Sequence, residues 1–250
     1  MRAISVVVMC SLLAGVAFGE TTITINGKTI RASGNNNHSI TVKNGTVIVD
    51  GRVLSGDAVE GSGKSATEQR VLGDFNALNL DISADVTVTA GKKRQCTVIA
   101  DDNILPLILT ECSDNTLRIT AKESYSSTQK VRIVIKTPLL TSAEINGSGN
   151  IDITEVTKDQ LALAISGSGG ITAKGKVAKL RATINGSGDV HAAALKSETA
   201  TITINGSGDA NVYVTDALTA KVHGSGDITY IGSPSKVHTS VAGSGGIAKK

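Results

Sequence analysis

The chain has 250 residues, of which 40% are hydrophobic but only 2% aromatic, with no Trp and a formal net charge of +3. So slight a balance excludes the electrostatic footprint of a nucleic-acid or anionic-membrane binder. The lack of aromatics excludes the usual stacking platform for bases or sugars and leaves core packing to Ile, Val, Leu and Ala.

Arg2 followed by the apolar run Ala3 to Phe18, with Ala17-Phe18-Gly19 as a small-x-small site, reads as a signal peptide over residues 1–19 cleaved before Glu20. The run is too short for the ~20 residues that span a bilayer. Cys10 lies inside it without the small residues and polar sequel of a lipobox. No second hydrophobic stretch follows, so the expected product is an exported protein of the periplasm, outer-membrane surface or extracellular space, with no integral membrane segment. It retains two cysteines, Cys96 and Cys112, which in an oxidising compartment are either a disulfide or two buried thiols.

Residues 20–54 read as a β-hairpin region. Thr22 to Ile25 and Ser39 to Val42 alternate, and Asn44-Gly45 before Thr46 to Val49 is a hairpin signal. Ser55 to Thr67, rich in Gly, Ser, Lys and Asp, reads as a flexible linker. From Arg70 to Leu140 the pattern predicts less regular rungs. Phe75, Leu78, Leu80 and Ile82 alternate, and Cys96–Ala100, Thr116–Thr120 and Val131–Lys136 are further strand candidates. The apolar run Ile104 to Thr110 fits either a buried strand or a short capping helix.

The strongest signal begins beyond. Gly-Ser-Gly recurs six times, at Gly147/Gly149, Gly167/Gly169, Gly186/Gly188, Gly206/Gly208, Gly224/Gly226 and Gly243/Gly245, in steps of 18 to 20 residues. A sharp corner needs either φ > 0 or a close backbone approach, and Gly alone tolerates both cheaply. Two positions before each first Gly stand Ile145, Ile165, Ile184, Ile204, Val222 and Val241; four after stand Ile151, Ile171, Val190, Ala210, Ile228 and Ile247. Alternation on both sides of a glycine corner means strands with one buried face. Each unit therefore reads as strand, corner, strand and a short polar return, stacked in parallel and in register. The expected fold is an all-β parallel β-helix or solenoid, right-handed, with about six regular rungs. The residue before each corner (Asn146, Ser166, Asn185, Asn205, His223, Ala242) suits an amide ladder.

Glu68-Gln69-Arg70, Phe75, Ala84-Asp85-Val86, Asp101-Asp102-Asn103-Ile104-Leu105 and the repeated Ile-Asn-Gly-Ser-Gly-Asp resemble the head GIN domain family over residues 68–250, and Gly45–Gly56 looks like the leader seen before that domain. The resemblance implies a parallel β-helix in a bacterial envelope protein, with adhesion proposed and no catalytic residues to carry over. Only Ile247 to Lys250 follow Gly246, which leaves no room for a translocator barrel, so the expectation is a solenoid that is not an autotransporter in its own right.

Candidate chemistry is sparse. The corners lack the helix that a phosphate-binding loop requires, and no Ser or Cys stands in a nucleophile elbow with His38, His191, His223 or His238. Asp189, Asp209 and Asp227 share one column, with Asn150 at the first copy; stacked carboxylates ~4.8 Å apart are either solvated or bridged by a cation, so calcium is the one metal to consider. Asp152, Glu155 and Asp159 form the densest acidic stretch and read as a polar return loop. The expected function is a non-enzymatic adhesin or surface-binding module without a cofactor, whose partner is a polysaccharide or surface protein. The alternatives are a self-assembling structural component, joined as a homo-oligomer through its C-terminal end, and a polysaccharide-degrading enzyme.

Overall fold

The computed structural model describes residues 58–250 apart from Lys92 and Thr128, and before them the backbone of five strands. The expected signal peptide with Cys10, and His38, lie outside the described residues. Two compact units divide the chain after Asp57. In the first, β1 (Glu20–Ile25) pairs antiparallel with β2 (Lys28–Ser33). β3 (Ile40–Lys43), β4 (Thr46–Val49) and β5 (Arg52–Ser55) form an antiparallel meander, Lys43 opposite Thr46.

The second unit begins inside the expected linker, which is a correction. β6 (Val59–Glu60) pairs with a later strand, and β7 (Ser65–Arg70) is a full sheet member. Between them the Ser62 amide donates to Asn103 Oδ1 at 2.9 Å, and Asp102 N donates to Lys64 O at 2.8 Å. Backbone groups in this small, polar stretch find partners far along the chain, which composition alone does not reveal.

β8 (Ala77–Leu80) and β9 (Ala84–Ala90) make the first rung. The chain then leaves the stack through β10 (Gln95–Asp101), a 3-10 turn at Leu105–Leu107, β11 (Ile108–Ser113), β12 (Thr116–Ala121), β13 (Tyr125–Ser126) and β14 (Val131–Thr137). β12 and β14 lie parallel beside β8 and β9 on one side, while β10 is antiparallel to both β14 and β7, and β11 to β12. The expected succession of irregular rungs is therefore two, β8–β9 with β12–β14 parallel beneath it, closed below by the antiparallel strands β7, β10 and β11. Asp114 and Asn115, at φ 50° and 58°, turn β11 into β12 in the left-handed region that these two residue types tolerate best. Arg70 ties β7 to this base: Nη1 donates to Ile108 O at 2.8 Å and Nη2 to Leu105 O at 3.0 Å.

The regular solenoid then builds on the other side of the first rung. β15 (Ser142–Gly147) lies on β8, and β16 (Asn150–Gly167) on β9. β17 (Gly170–Gly186), β18 (Asp189–Gly206) and β19 (Ala210–Gly224) follow, and the last turn comprises β20 (Ile228–Ile231), β21 (Lys236–Gly243) and β22 (Ile247–Lys249). The coils number about five, because six corners bound five intervals. Register agrees with the sequence columns residue by residue: Ile145, Ile165, Ile184, Ile204, Val222 and Val241 are successive partners.

Each full turn has three inward runs, for example Ile151/Ile153, Val156 and Leu161/Leu163/Ile165, all at most 5% exposed. The expected polar return is not a loop. β16 to β19 run through it as continuous strands, bent where the register shifts near Val156, Lys174 and Lys196, because neighbouring turns on both sides accept the backbone hydrogen bonds.

The twelve corner glycines, expected as one class, divide into two. Gly147, Gly167, Gly186, Gly206, Gly224 and Gly243 come first in their corners and sit at φ between 135° and 143°, which L side chains rarely adopt. The second glycines lie outside that region, so positive φ is not why they are needed. Close approach is. A Cβ at Gly169, Gly188, Gly208, Gly226 or Gly245 would strike the carbonyl oxygen of the second glycine one turn below, Gly149 for Gly169 and Gly226 for Gly245. Gly149 rests on the irregular first rung instead, where a Cβ would lie 2.7 Å from Ile82 O and 2.9 Å from Ala84 O. The core is continuous from Phe75 to Ile228 and then stops, since every residue of β21 is exposed.

Candidate functional site

The corner column predicted to hold Asp189, Asp209 and Asp227 extends over the whole stack. Its register runs Asp85, Asn150, Gly170, Asp189, and its spacing continues through Asp209, Asp227 and Gly246. The side chains cap the next turn. Asp189 Oδ1 accepts the Asp209 amide at 2.8 Å, Asp209 Oδ1 that of Asp227 at 2.8 Å, and Asp227 Oδ1 that of Gly246 at 2.6 Å. Asn150 donates to Asp85 Oδ1 at 2.8 Å and accepts the Gly170 amide at 3.2 Å. Charge-assisted bonds to backbone N–H offset the repulsion of stacked carboxylates. Among the described residues no group of three or more His, Cys, Asp or Glu side chains is placed to hold a metal ion.

Gly170 interrupts this column, and a groove of about 440 Å3 opens there. Asp85, Asn150 and Asp189 stand along its corner side, and the outward residues of adjoining strands, Thr87, Asp152, Thr172 and His191, line the rest. Strand alternation aims them outward because their neighbours Val86, Ile151, Ile171 and Val190 are buried. Asp152 is thus a groove residue on β16, not part of a return loop as its sequence neighbourhood indicated. Its Oδ1 is buried with no hydrogen-bond partner.

Burial alone would raise the Asp85 carboxyl. Hydrogen bonds from Lys130 Nζ, at 2.7 Å, and from Asn150, with the charges of Lys130 and Arg132, outweigh it and hold the group below its ordinary range. That is the wrong direction for a proton donor.

The face that precedes the corner carries the amide ladder in two pieces. Asn146 donates to Asp81 Oδ1 at 2.8 Å, and Asn205 donates to Asn185 Oδ1 at 2.8 Å, with His223 Nδ1 3.2 Å from Asn205 Oδ1. Ser166 separates the pieces. A smaller depression of about 290 Å3 on this face is flanked by Gln160, Lys179, Arg181, Thr199 and Thr201.

Of the two states expected for Cys96 and Cys112, a bridge or free thiols, this structure has the free thiols. They lie on different strands, β10 and β11, Cys96 opposite Ile135 and Arg70, and Cys112 opposite Leu117. Burial pushes the Cys96 thiol up to about 11, with the Arg70 charge opposing the rise and Cys112 adding to it.

The groove was missed in the sequence because its residues come from positions 85 to 191 and meet only through the return of β15–β16 onto β8–β9. The one available signal was the absent side chain at Gly170, inside a column that is otherwise Asp or Asn from Asp85 to Asp227.

No curated protein matches the chain. Solved structures share its fold. One described as a "putative adhesin" from Bacteroides fragilis superposes with a TM-score of 0.65 at 24% identity, covering 77% of this chain and 100% of its own. Another "putative adhesin", from Parabacteroides merdae, gives 0.53 at 21% identity over 78% and 99%, and a "putative lipid binding protein" from Parabacteroides distasonis gives 0.51 at 24% over 78% and 100%. The family model described as "putative auto-transporter adhesin, head GIN domain" matches residues 74–234, and the chain belongs to that family.

Proposed function

We infer that this is an exported, non-enzymatic surface-binding protein that holds an extended polymer, a polysaccharide above all, along the groove at Gly170. The observation that carries the reading is the groove itself: hydroxyl, carboxylate, amide and imidazole groups on adjoining rungs of a rigid sheet, open to solvent and without an aromatic platform. Strands ~4.8 Å apart present such groups at a repeat that suits a repeating ligand. The low-lying Asp85 carboxyl favours binding over acid catalysis, and the family's adhesin description agrees with a surface or exported location.

The test is an array of glycans, peptidoglycan fragments and matrix proteins probed with residues 20–250, with calcium and again with chelator. Binding to one polymer class that falls at least about tenfold in Gly170→Asp supports the reading. That substitution restores the column's usual side chain and requires only a slight shift of Asn150, whose Oδ1 would lie 3.2 Å from the new Cβ. Loss with chelator would assign calcium to the Asp column. A folded protein that binds nothing in either condition would refute the reading.

A further inference from the structure

The two ends of the solenoid are finished differently. At the base, the antiparallel strands β7, β10 and β11 turn the parallel ladder aside, and the core residues Val98, Ile108 and Ile133 are fully buried. At the other end β21 pairs with β19 on one edge only. Its Val237 and Val241, stacked on the buried Leu218 and Val222, are each 45% exposed. An exposed strand edge with an apolar inner row is a template for another strand.

We propose that β21 pairs antiparallel with β21 of a second copy of this chain, joining two solenoids tail to tail about a two-fold axis. Two features select this occupant. First, the strand Lys-Val-His-Thr-Ser-Val-Ala-Gly is self-complementary about Thr239. In that register Val237 faces Val241 twice and Thr239 faces itself, so the inner rows of the two copies continue one core. On the outer face Lys236 lies opposite Ala242 and His238 opposite Ser240, so no like charges meet across the pair. Second, head-to-tail stacking has no matching surface, because the base presents antiparallel strands out of step with β21. Closure about a two-fold axis therefore stops assembly at two copies.

The test takes the chain from Glu20 to Lys250, with Cys112→Ala in the cysteine variants, and measures mass by sedimentation. The parent should be a dimer at micromolar concentration. Val241→Lys should raise the dimer dissociation constant on the order of 100-fold or more by setting charge into the shared inner row. Its own fold should be unharmed, because the side chain it replaces is half exposed. Register is read independently. Under diamide, Thr239→Cys should cross-link to its own copy, since residues directly opposite lie ~4.5–5.5 Å apart at Cα. Val237→Cys alone should not cross-link, and mixed with Val241→Cys it should. A parent that stays monomeric, whether the edge is free or covered by residues 20–55, overturns the proposal. Equal cross-linking of Thr239→Cys and Val237→Cys does so as well.

Discussion

Replacing Gly206 with Ala, beside the same change at Gly147, separates the two demands made at a corner. Both residues sit in the positive-φ region, at 143° and 137°. Around Gly147 a new Cβ meets nothing within 4 Å, whereas at Gly206 it would fall on the Gly186 carbonyl oxygen. Gly147→Ala therefore meets backbone strain alone, about 1–3 kcal/mol, reduced by ~0.4–1 through the stiffer unfolded chain. Gly206→Ala adds an overpacking cost of about 1–3 kcal/mol. It also weakens the bond from Ser207 N to Gly186 O or from Ser225 N to Gly206 O, each 2.9 Å, worth ~0.5–1.5 kcal/mol. The gap between the variants is then about 2–4 kcal/mol, or roughly 5–15 °C in Tm for a domain of this size. Calorimetric melts of the two variants measure it. Equal losses would refute the claim that contact between stacked turns, rather than φ alone, requires glycine at Gly206.

Arg70→Ala should destabilise the base by roughly 2–4 kcal/mol, since two charge-assisted bonds to the Ile108 and Leu105 carbonyls disappear together; denaturant titration checks this. At pH 8 iodoacetamide should label the partly exposed Cys112 and leave Cys96 untouched until the protein unfolds, because a thiol pushed up to about 11 holds almost no thiolate there. Labelling of neither in the native protein would indicate a bond between them. Asp85→Asn should cost little, no more than ~1 kcal/mol at neutral pH, because the Lys130 pair is well exposed. A depressed folded-state pKa contributes stability above the ordinary carboxylate range and loses it as pH falls through the folded value, so the gap between variant and parent should close in acid.

The solenoid was legible because a corner glycine and an inward aliphatic must recur whenever one turn is laid on another. The columns through Ile145 and Ile151 are that requirement written out. The separate duties of the paired glycines were not legible, since Gly147 and Gly149 look alike until one is seen to turn the chain and the other to lie against the rung below. Nor was the base, where β10 and β11 reverse direction while β12 and β14 run with the rung above, because alternation is the same whichever way a strand runs. Asp114-Asn115, a two-residue left-handed turn between alternating runs, was the signal that pointed to the β11–β12 hairpin. Ser62 and Lys64 read as linker for a similar reason: their partners, Asn103 and Asp102, lie about forty residues away. The groove shares that origin. Asp85 and Asp152 become neighbours on adjoining strands only once the chain has gone down to build the base and returned.

The central claim, that the groove at Gly170 is the ligand surface, is tested most directly by mapping backbone amide shifts during titration with the polymer selected on the array. Shifts confined to Thr87, Asp152, Thr172 and His191, absent from Lys179 and Arg181 on the face that precedes the corner, are the expected result. Shifts centred on Lys179 and Arg181, or unchanged when Gly170 is replaced by Asp, would contradict it.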